Sequence, residues 1–267
     1  MTMSIQGRTA IVTGAARGVG LAVARHFVER GARVMFADGD EAALNGVVSD
    51  YQDVPEVRRF VGNMAEKLAM ANLLSATLDA FDRVDILVNA HRFVRSTDPL
   101  DTDIDAVEEM MRQNMLAGLR LSQIVAKRMI RQAGEEADTA QAGAIVNIST
   151  LAARRPIPSM LGYSIACAAQ EQATRGLALA LAPHRIRVNG VSFSSVMSHE
   201  LQCALKENPD KRSQIIAGTP LGRIAAADEL AETVHYLASD GARFVTGQIV
   251  TVDGGRSLAD PVTAQIL

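Results

Sequence analysis

The stretch Thr9-Ala10-Ile11-Val12-Thr13-Gly14-Ala15-Ala16-Arg17-Gly18-Val19-Gly20 decides the fold. Its first five residues are apolar or β-branched, which reads as a short strand buried on both faces. Gly14 ends that run, and Gly18 and Gly20 complete a G-x-x-x-G-x-G spacing. A helical pattern then extends over 18–30. Strand, glycine turn and helix in that order open a βαβ unit built to hold phosphate. Gly14 permits a tight turn, and the later glycines let backbone and helix approach a pyrophosphate. The helix N-terminus offers free N–H groups and the positive end of its dipole. A glycine pattern alone also fits a plain strand-to-helix turn, but its place at the head of an alternating series favours a nucleotide loop.

That series runs outward along the chain. Strand-like runs fall at 9–13, 33–37, 57–61, 86–88, 144–148, 186–191 and 249–252, with helical segments at 18–30, 66–81, 104–131, 159–181 and 228–238. Alternation of this kind predicts an α/β fold: a Rossmann-type doubly wound parallel sheet of about seven strands, with helices on both faces. No internal repeat or Pro/Ser linker interrupts it, so residues 1–267 read as a single dinucleotide-binding domain. Two stretches break the rhythm. One is a polar loop at 134–142 with Glu135, Glu136 and Asp138; the other is 194–218, ahead of Pro220-Leu221-Gly222-Arg223. Ligands of such sheets bind beyond the carboxyl ends of the strands, which makes 194–218 a variable substrate loop.

Composition excludes several function classes. With 48% hydrophobic and 21% charged residues, the chain has material for a large core and is not expected to be disordered. A net charge of −3 without long runs of one sign calls for neither nucleic acid nor an anionic membrane. The two cysteines, Cys167 and Cys203, make neither a disulfide framework nor a metal cluster. The first residues lack an apolar leader, and no apolar run approaches the about 20 residues of a membrane span. The expected location is cytoplasmic.

Asp38 closes the second strand, eighteen residues after Gly20. A carboxylate there accepts both ribose hydroxyls of NAD and repels the 2′-phosphate of NADP. Arg17, in the glycine loop, pulls toward NADP; Asp38 outweighs it because it sits on a rigid strand end. NAD is therefore the expected cofactor, and the plainer role for Asp38 is an N-cap for a helix near Asp40.

Taken together, these residues resemble the short-chain dehydrogenase/reductase family along nearly the whole chain. Thr13–Gly20 is similar to T-G-x-x-x-G-x-G, and Asp85-Ile86-Leu87-Val88-Asn89 to the start of D-x-L-V-N-N-A-G. Gln113-Asn114 lies where the family keeps its Asn, and Ile145-Val146-Asn147-Ile148-Ser149-Thr150 is similar to I-V-N-I-S-S. Tyr163 follows Thr150 by thirteen residues, the family spacing from catalytic Ser to Tyr. The run from Pro220-Leu221-Gly222-Arg223 to Val252-Asp253-Gly254-Gly255 is similar to ketoreductase-like members. The resemblance implies a catalytic set of Tyr163, Thr150 and Asn114. It also implies a cofactor set of Gly14, Arg17, Gly18, Gly20, Asp38, Asn63, Asn89 and Val196, with no metal.

The departures are equally specific. Tyr163-Ser164-Ile165-Ala166 ends in Cys167 where the family's Y-x-x-x-K has Lys; Thr150 replaces the catalytic Ser; and Asn89-Ala90-His91-Arg92 lacks the glycine of N-N-A-G. Phe193-Ser194 stands for the Pro-Gly after the sixth strand, and Asn63 for the Asp after the third. In the family, the Lys ammonium lowers the pKa of the Tyr and holds the nicotinamide ribose, and Cys167 does neither. The catalytic set is thus incomplete. Arg92, Arg95, Arg154 and Arg155 flank the expected pocket. They read first as solvated or interface charges and second as an anion-binding rim for an acidic or CoA-linked substrate.

Two function classes follow. One is NAD(H)-linked interconversion of a small-molecule alcohol and ketone, weak or inactive in the chain alone. The other is non-catalytic: a subunit supporting an active family partner in a hetero-oligomer, or a nucleotide-sensing regulator. The resemblance also implies an oligomer, a tetramer or dimer of dimers, built on the helices at 104–131 and 159–181.

Overall fold

The computed structural model describes residues 3–103, 106–134, 141–208 and 210–260. Seven strands form one parallel sheet: β1 (Thr9–Thr13), β2 (Arg33–Asp38), β3 (Val57–Val61), β4 (Ile86–Asn89), β5 (Gly143–Thr150), β6 (Ile186–Phe193) and, last in sequence, Ile249–Val252. The intervening helices are α1 (Gly18–Glu29), α2 (Glu41–Val48), α3 (Lys67–Phe81), α4 (Val107–Met110), α5 (Ala117–Ala133) and α6 (Leu161–Leu181). Beyond β6 come a short strand β7 (Val196–Met197), α7 (His199–Glu207), α8 (Asp210–Ala217), β8 (Ala225–Ala226), α9 (Ala227–Ala238) and the final strand, β9. The order across the sheet is β3-β2-β1-β4-β5-β6-β9, with β7 and β8 paired separately. Chain order reverses between β1 and β4, the switch point where a crevice opens beyond the strand ends.

Both faces of the sheet are buried, and period-two alternation sorts the core. Val12, Val34, Phe36, Val146 and Val191 join Val23 and Phe27 of α1 and Val234 of α9 in one cluster. Their neighbours Ile11, Met35, Ile145 and Val188 meet Leu73 of α3 and Leu121 and Met129 of α5 in the other. This is why the central strands read as continuous apolar runs. The edge strand β3, with exposed Arg58 and Arg59, is the exception.

The expected helix at 104–131 runs unbroken over 107–133 among the described residues, but it is not α-helical throughout. Its residues 104 and 105 lie outside the described part. From Val107 on, the helix widens into a π turn over Met111–Leu116 before resuming as α5. Sequence periodicity does not register that change, because one turn of i→i+5 bonding shifts the apolar stripe by only a fraction of a turn. The π turn holds Asn114. Within 194–218, the irregular segment resolves into β7, α7 and α8. Much of the polar loop at 134–142 is outside the described residues. No described helix is long and apolar enough to cross a membrane.

Candidate active site

The glycine turn is required by contact as well as by conformation. Gly14 has φ +67°, and a Cβ there would lie 2.7 Å from the Ala90 carbonyl oxygen. A Cβ on Gly20 would overlap the Gly14 carbonyl. These close approaches bring the start of α1 against the loop after β4. Arg17, the N-cap of α1, is extended and makes no side-chain capping bond, so that end of the helix presents its N–H groups to the cleft.

The Thr13 hydroxyl staples β1 to the β4 loop, accepting from the backbone N–H of Ala90 at 3.1 Å and of His91 at 3.3 Å. His91 locks the other side of that loop: Nδ1 lies 2.8 Å from the Thr13 hydroxyl oxygen, and Nε2 3.1 Å from the Gln113 carbonyl oxygen. Desolvation holds its pKa down at about 4, although the Gln113 carbonyl and the Asp38 charge pull upward. The ring is therefore neutral at physiological pH.

The resulting cleft has a volume of about 590 Å³ and is lined by Gly14, Arg17, Gly18, Gly20, Asp38 and Arg92, with Val196 and Phe193 at its far end. A smaller cleft of about 360 Å³ shares Gly14, Asp38 and Arg92 and adds Asn63 and His91. Asp38 stands at the divide. Its carboxylate accepts from Ala16 N at 3.0 Å and Asp40 N at 2.9 Å. Asp40, not Asp38, caps α2, accepting from Ala43 N at 2.9 Å. That bond, and secondarily Arg17, holds the Asp40 carboxyl below its ordinary value. The Arg17 guanidinium is paired with Asp40.

The side chain of Asn89, expected at the cofactor, is bonded within the fold. It is buried against α5, donating to Asn147 Oδ1 at 2.8 Å and Ser122 Oγ at 3.0 Å. Asn147 in turn donates to Thr174 of α6 at 2.9 Å. Strand alternation turns the Asn89 side chain toward α5.

The residues expected to be catalytic meet at the corner where β5 ends against α6. Thr150 Oγ1 is 3.7 Å from Cys167 Sγ. Tyr163 and Cys167, one helical turn apart, are buried with Met110, Ala152 and Ala166, and Phe93 packs against them. Burial, then the neighbouring Cys167, pushes the Tyr163 phenol up, while Arg92 and the Thr150 hydroxyl pull it down. Burial also pushes the Cys167 thiol up, and Glu171 adds to this. Both groups are neutral at physiological pH. Asn114 holds the loop beside them in a two-point clamp, with Oδ1 accepting from Phe93 N at 2.7 Å and Nδ2 donating to Phe93 O at 2.8 Å.

Three of the four flanking arginines are engaged. Arg95 lies 3.6 Å from Glu109. Arg154 bonds Glu171 at 3.4 Å and Thr251 at 3.2 Å, and Arg155 donates to the carbonyls of Ser257 and Ala259. Glu171 is a buried carboxylate that sequence reading passed over. It also takes the Ser149 hydroxyl at 3.3 Å. Its signal was available: it follows Cys167 by four residues on a largely apolar helix, hence on the same face.

Known proteins match the chain along nearly its whole length. The family model described as Enoyl-(Acyl carrier protein) reductase covers residues 14–257. The chain belongs to the short-chain dehydrogenase/reductase family. It is 31% identical to the L-xylulose reductase of Bos taurus over 255 residues, 96% of this chain and 98% of that one. It is 32% identical to the D-erythrulose reductase of Gallus gallus over 253 residues, 95% and 97% of the two chains. A solved gluconate 5-dehydrogenase from Burkholderia cenocepacia, in complex with NADP and tartrate, superposes with a TM-score of 0.86 at 28% identity, covering 97% of this chain and 98% of that one. Members of this family bind a nicotinamide cofactor. The residues here fit one: the cleft lined by Gly14, Gly18 and Gly20 lies at the uncapped start of α1, whose free N–H groups suit a pyrophosphate.

Proposed function

We propose that this short-chain dehydrogenase/reductase binds NAD(H) in preference to NADP(H), and that its alcohol–ketone interconversion is weak or absent in the isolated chain. Gly14, Gly18 and Gly20 would hold the pyrophosphate against α1, Asp38 the adenosine ribose, and Asn63 the adenine edge. Val196 would lie along the nicotinamide half. The bound nicotinamide would supply or accept the hydride. The chain's own part is the proton at the Tyr163 phenol and a hydrogen bond from Thr150 to the substrate oxygen, with residues 194–218 shaping the substrate side.

The single observation that carries the reading is the buried Cys167 one helical turn beyond Tyr163, with its Sγ 3.7 Å from Thr150 Oγ1. A buried phenol beside a buried thiol has no adjacent ammonium to favour its ionised form. The relative solved with NADP argues the other cofactor. Asp38 at the divide between the two clefts, with Arg17 engaged by Asp40, argues for NAD in this chain.

Calorimetric titration with NADH and NADPH, paired with an alcohol and ketone turnover screen, tests both halves. NADH binding tighter than NADPH with little turnover is expected. Equal or tighter NADPH binding, or turnover near the enzyme median of about 10 s⁻¹, overturns the corresponding half. The second reading, a supporting subunit for an active family partner, draws on the exposed Ile165 and Leu179 of α6. Recovery of a complete family member with the native protein would favour it.

A further inference from the structure

The glycine of the family's N-N-A-G loop is replaced by Arg92, and the structure accommodates it without strain. Among the described residues, left-handed backbone outside glycine occurs only at Asp82, Ala106 and Arg185. The position therefore needs no glycine for conformation, and what changes is what the side chain brings to the cleft.

Three observations fix where that charge sits. First, Arg92 lines both clefts, and Gly14 and Asp38 are the residues that share this with it, so it stands at their junction with the glycine turn. Second, its backbone is held on both sides: His91 is locked to Thr13 and Gln113, and Phe93 is clamped by Asn114. Phe93 turns into the cluster with Tyr163 and Cys167, while Arg92 takes the cleft. Third, Arg92 has no hydrogen bond or ion pair among the described residues. The other cleft arginine, Arg17, is paired with Asp40, and Arg95, Arg154 and Arg155 are engaged as described above.

An exposed arginine without a partner is ordinarily a solvated one. This one lines the same cleft as the glycine turn and the first residues of α1, where a phosphate is already favoured. A guanidinium fork matches phosphate oxygens in bidentate fashion.

We propose that Arg92 is a cofactor-binding residue, closing on the pyrophosphate of the bound dinucleotide. The assignment rests on the dinucleotide-binding reading above. The pyrophosphate is chosen over a 2′-phosphate because Asp38, at the same junction, places a negative charge on the ribose edge. Arg92 thereby supplies, from the loop after β4, a cationic contact with the cofactor in a chain whose α6 offers only Cys167. Its charge is also the one that favours the Tyr163 phenolate.

The test is a calorimetric titration of the wild-type chain, Arg92→Gly and Arg92→Lys with NADH, NADPH and ADP-ribose, at two salt concentrations. ADP-ribose carries the pyrophosphate without the nicotinamide, so the readout is independent of turnover. Loss of a charge-assisted contact predicts about a tenfold weakening of NADH and ADP-ribose for Arg92→Gly. A smaller loss is expected for Arg92→Lys, and a shallower salt dependence for Arg92→Gly. Equal ADP-ribose affinity in wild type and Arg92→Gly overturns the proposal while leaving the cofactor reading standing. A loss confined to NADPH also overturns it, by moving the contact to the 2′-phosphate. Failure of the wild-type chain to bind either NADH or ADP-ribose overturns both.

Discussion

Cys167 and Tyr163 share one face of α6, and on the proposed reading the chemistry of the corner turns on the ammonium that face lacks. An ordinary tyrosine has a pKa of about 10, and a neighbouring ammonium lowers it. Losing a depression of about two to three units costs roughly 3–4 kcal/mol for phenolate formation. Here burial pushes the phenol the other way. Cys167→Lys is therefore expected to raise turnover at least tenfold over wild type, and Tyr163→Phe in that background to abolish it. Initial rates on an alcohol/ketone panel check this. Wild-type turnover that is already substantial and unchanged in Cys167→Ala would show that the corner works without the ammonium. Asp38 carries a second expectation. Two unit charges about 4 Å apart interact by about 4 kcal/mol at an effective dielectric near 20, so removing the carboxylate should relieve repulsion of a 2′-phosphate. Asp38→Ala should lower the NADH-to-NADPH affinity ratio by about tenfold or more by the same estimate; an unchanged ratio refutes the assignment. At this scale the sequence was legible wherever chain spacing alone places a residue, as for Thr150, Tyr163 and Cys167 at the β5–α6 junction. It was not legible where tertiary contact decides. Asn89 turns to α5, Asn114 clamps Phe93 and Arg154 is drawn to Glu171, each through a partner far away in sequence.

Elements set how those residues respond to pH. α1 and α9 meet at a pair of histidines: His26 Nε2 lies 3.1 Å from His235 Nδ1, and His235 Nε2 lies 2.7 Å from the Met3 carbonyl oxygen. The chain of acceptors fits neutral rings, with His235 donating to Met3 and His26 donating to His235. Arg30 faces the pair, as do Glu29 and Glu232. Burial lowers both pKa values, in His26 with help from His235, and burial also lowers His91 to about 4. A His with a lowered folded pKa binds fewer protons folded than unfolded. Its stabilising contribution is complete above the unfolded value of 6.5 and is lost as pH falls through 6.5 toward the folded value. The paired carboxylates Asp40, Glu229 and Asp253, all lowered from 3.8 or 4.5, do not titrate in that window. Tm should thus fall by several degrees between pH 7.5 and 5.5, at about 2–4 °C per kcal/mol for a chain of this size, and His26→Gln should reduce the fall. A Tm flat across that range, or a fall unaltered in the variant, contradicts the histidine account. At the element scale, strand and helix positions were readable because both sheet faces are buried and every crossover is helical. The π turn at Met111–Leu116 was not, since it changes backbone bonding without altering the residue pattern.

The assembled molecule leaves apolar surface that its own fold does not cover. One face of α6 is buried through Tyr163, Cys167, Gln170, Thr174 and Ala178. The opposite stripe exposes Leu161, Ile165 and Leu179, with Leu179 at 80%. Ala168 and Gly176 lie exposed along the same line. Phe244, just before the final strand, is fully exposed. A helix with apolar residues on both faces is ordinarily buried on two sides, and small residues along the outer stripe allow a second helix to approach. Arg175, also on α6, already leans inward to Glu171 and leaves that stripe less charged. A stable association needs about 1,200–2,000 Å² of total buried surface, more than these side chains alone supply, so the neighbouring face of α5 should contribute. The chain is therefore expected to be at least a dimer at micromolar concentration, and a tetramer if Phe244 marks a second contact. Light scattering coupled to size exclusion reads this directly. Ile165→Glu with Leu179→Glu places charge in the α6 stripe without touching the core, so it should dissociate the assembly while circular dichroism stays unchanged. A wild-type monomer at micromolar concentration, or a double variant that assembles as before, would mean that the stripe is merely solvent-facing.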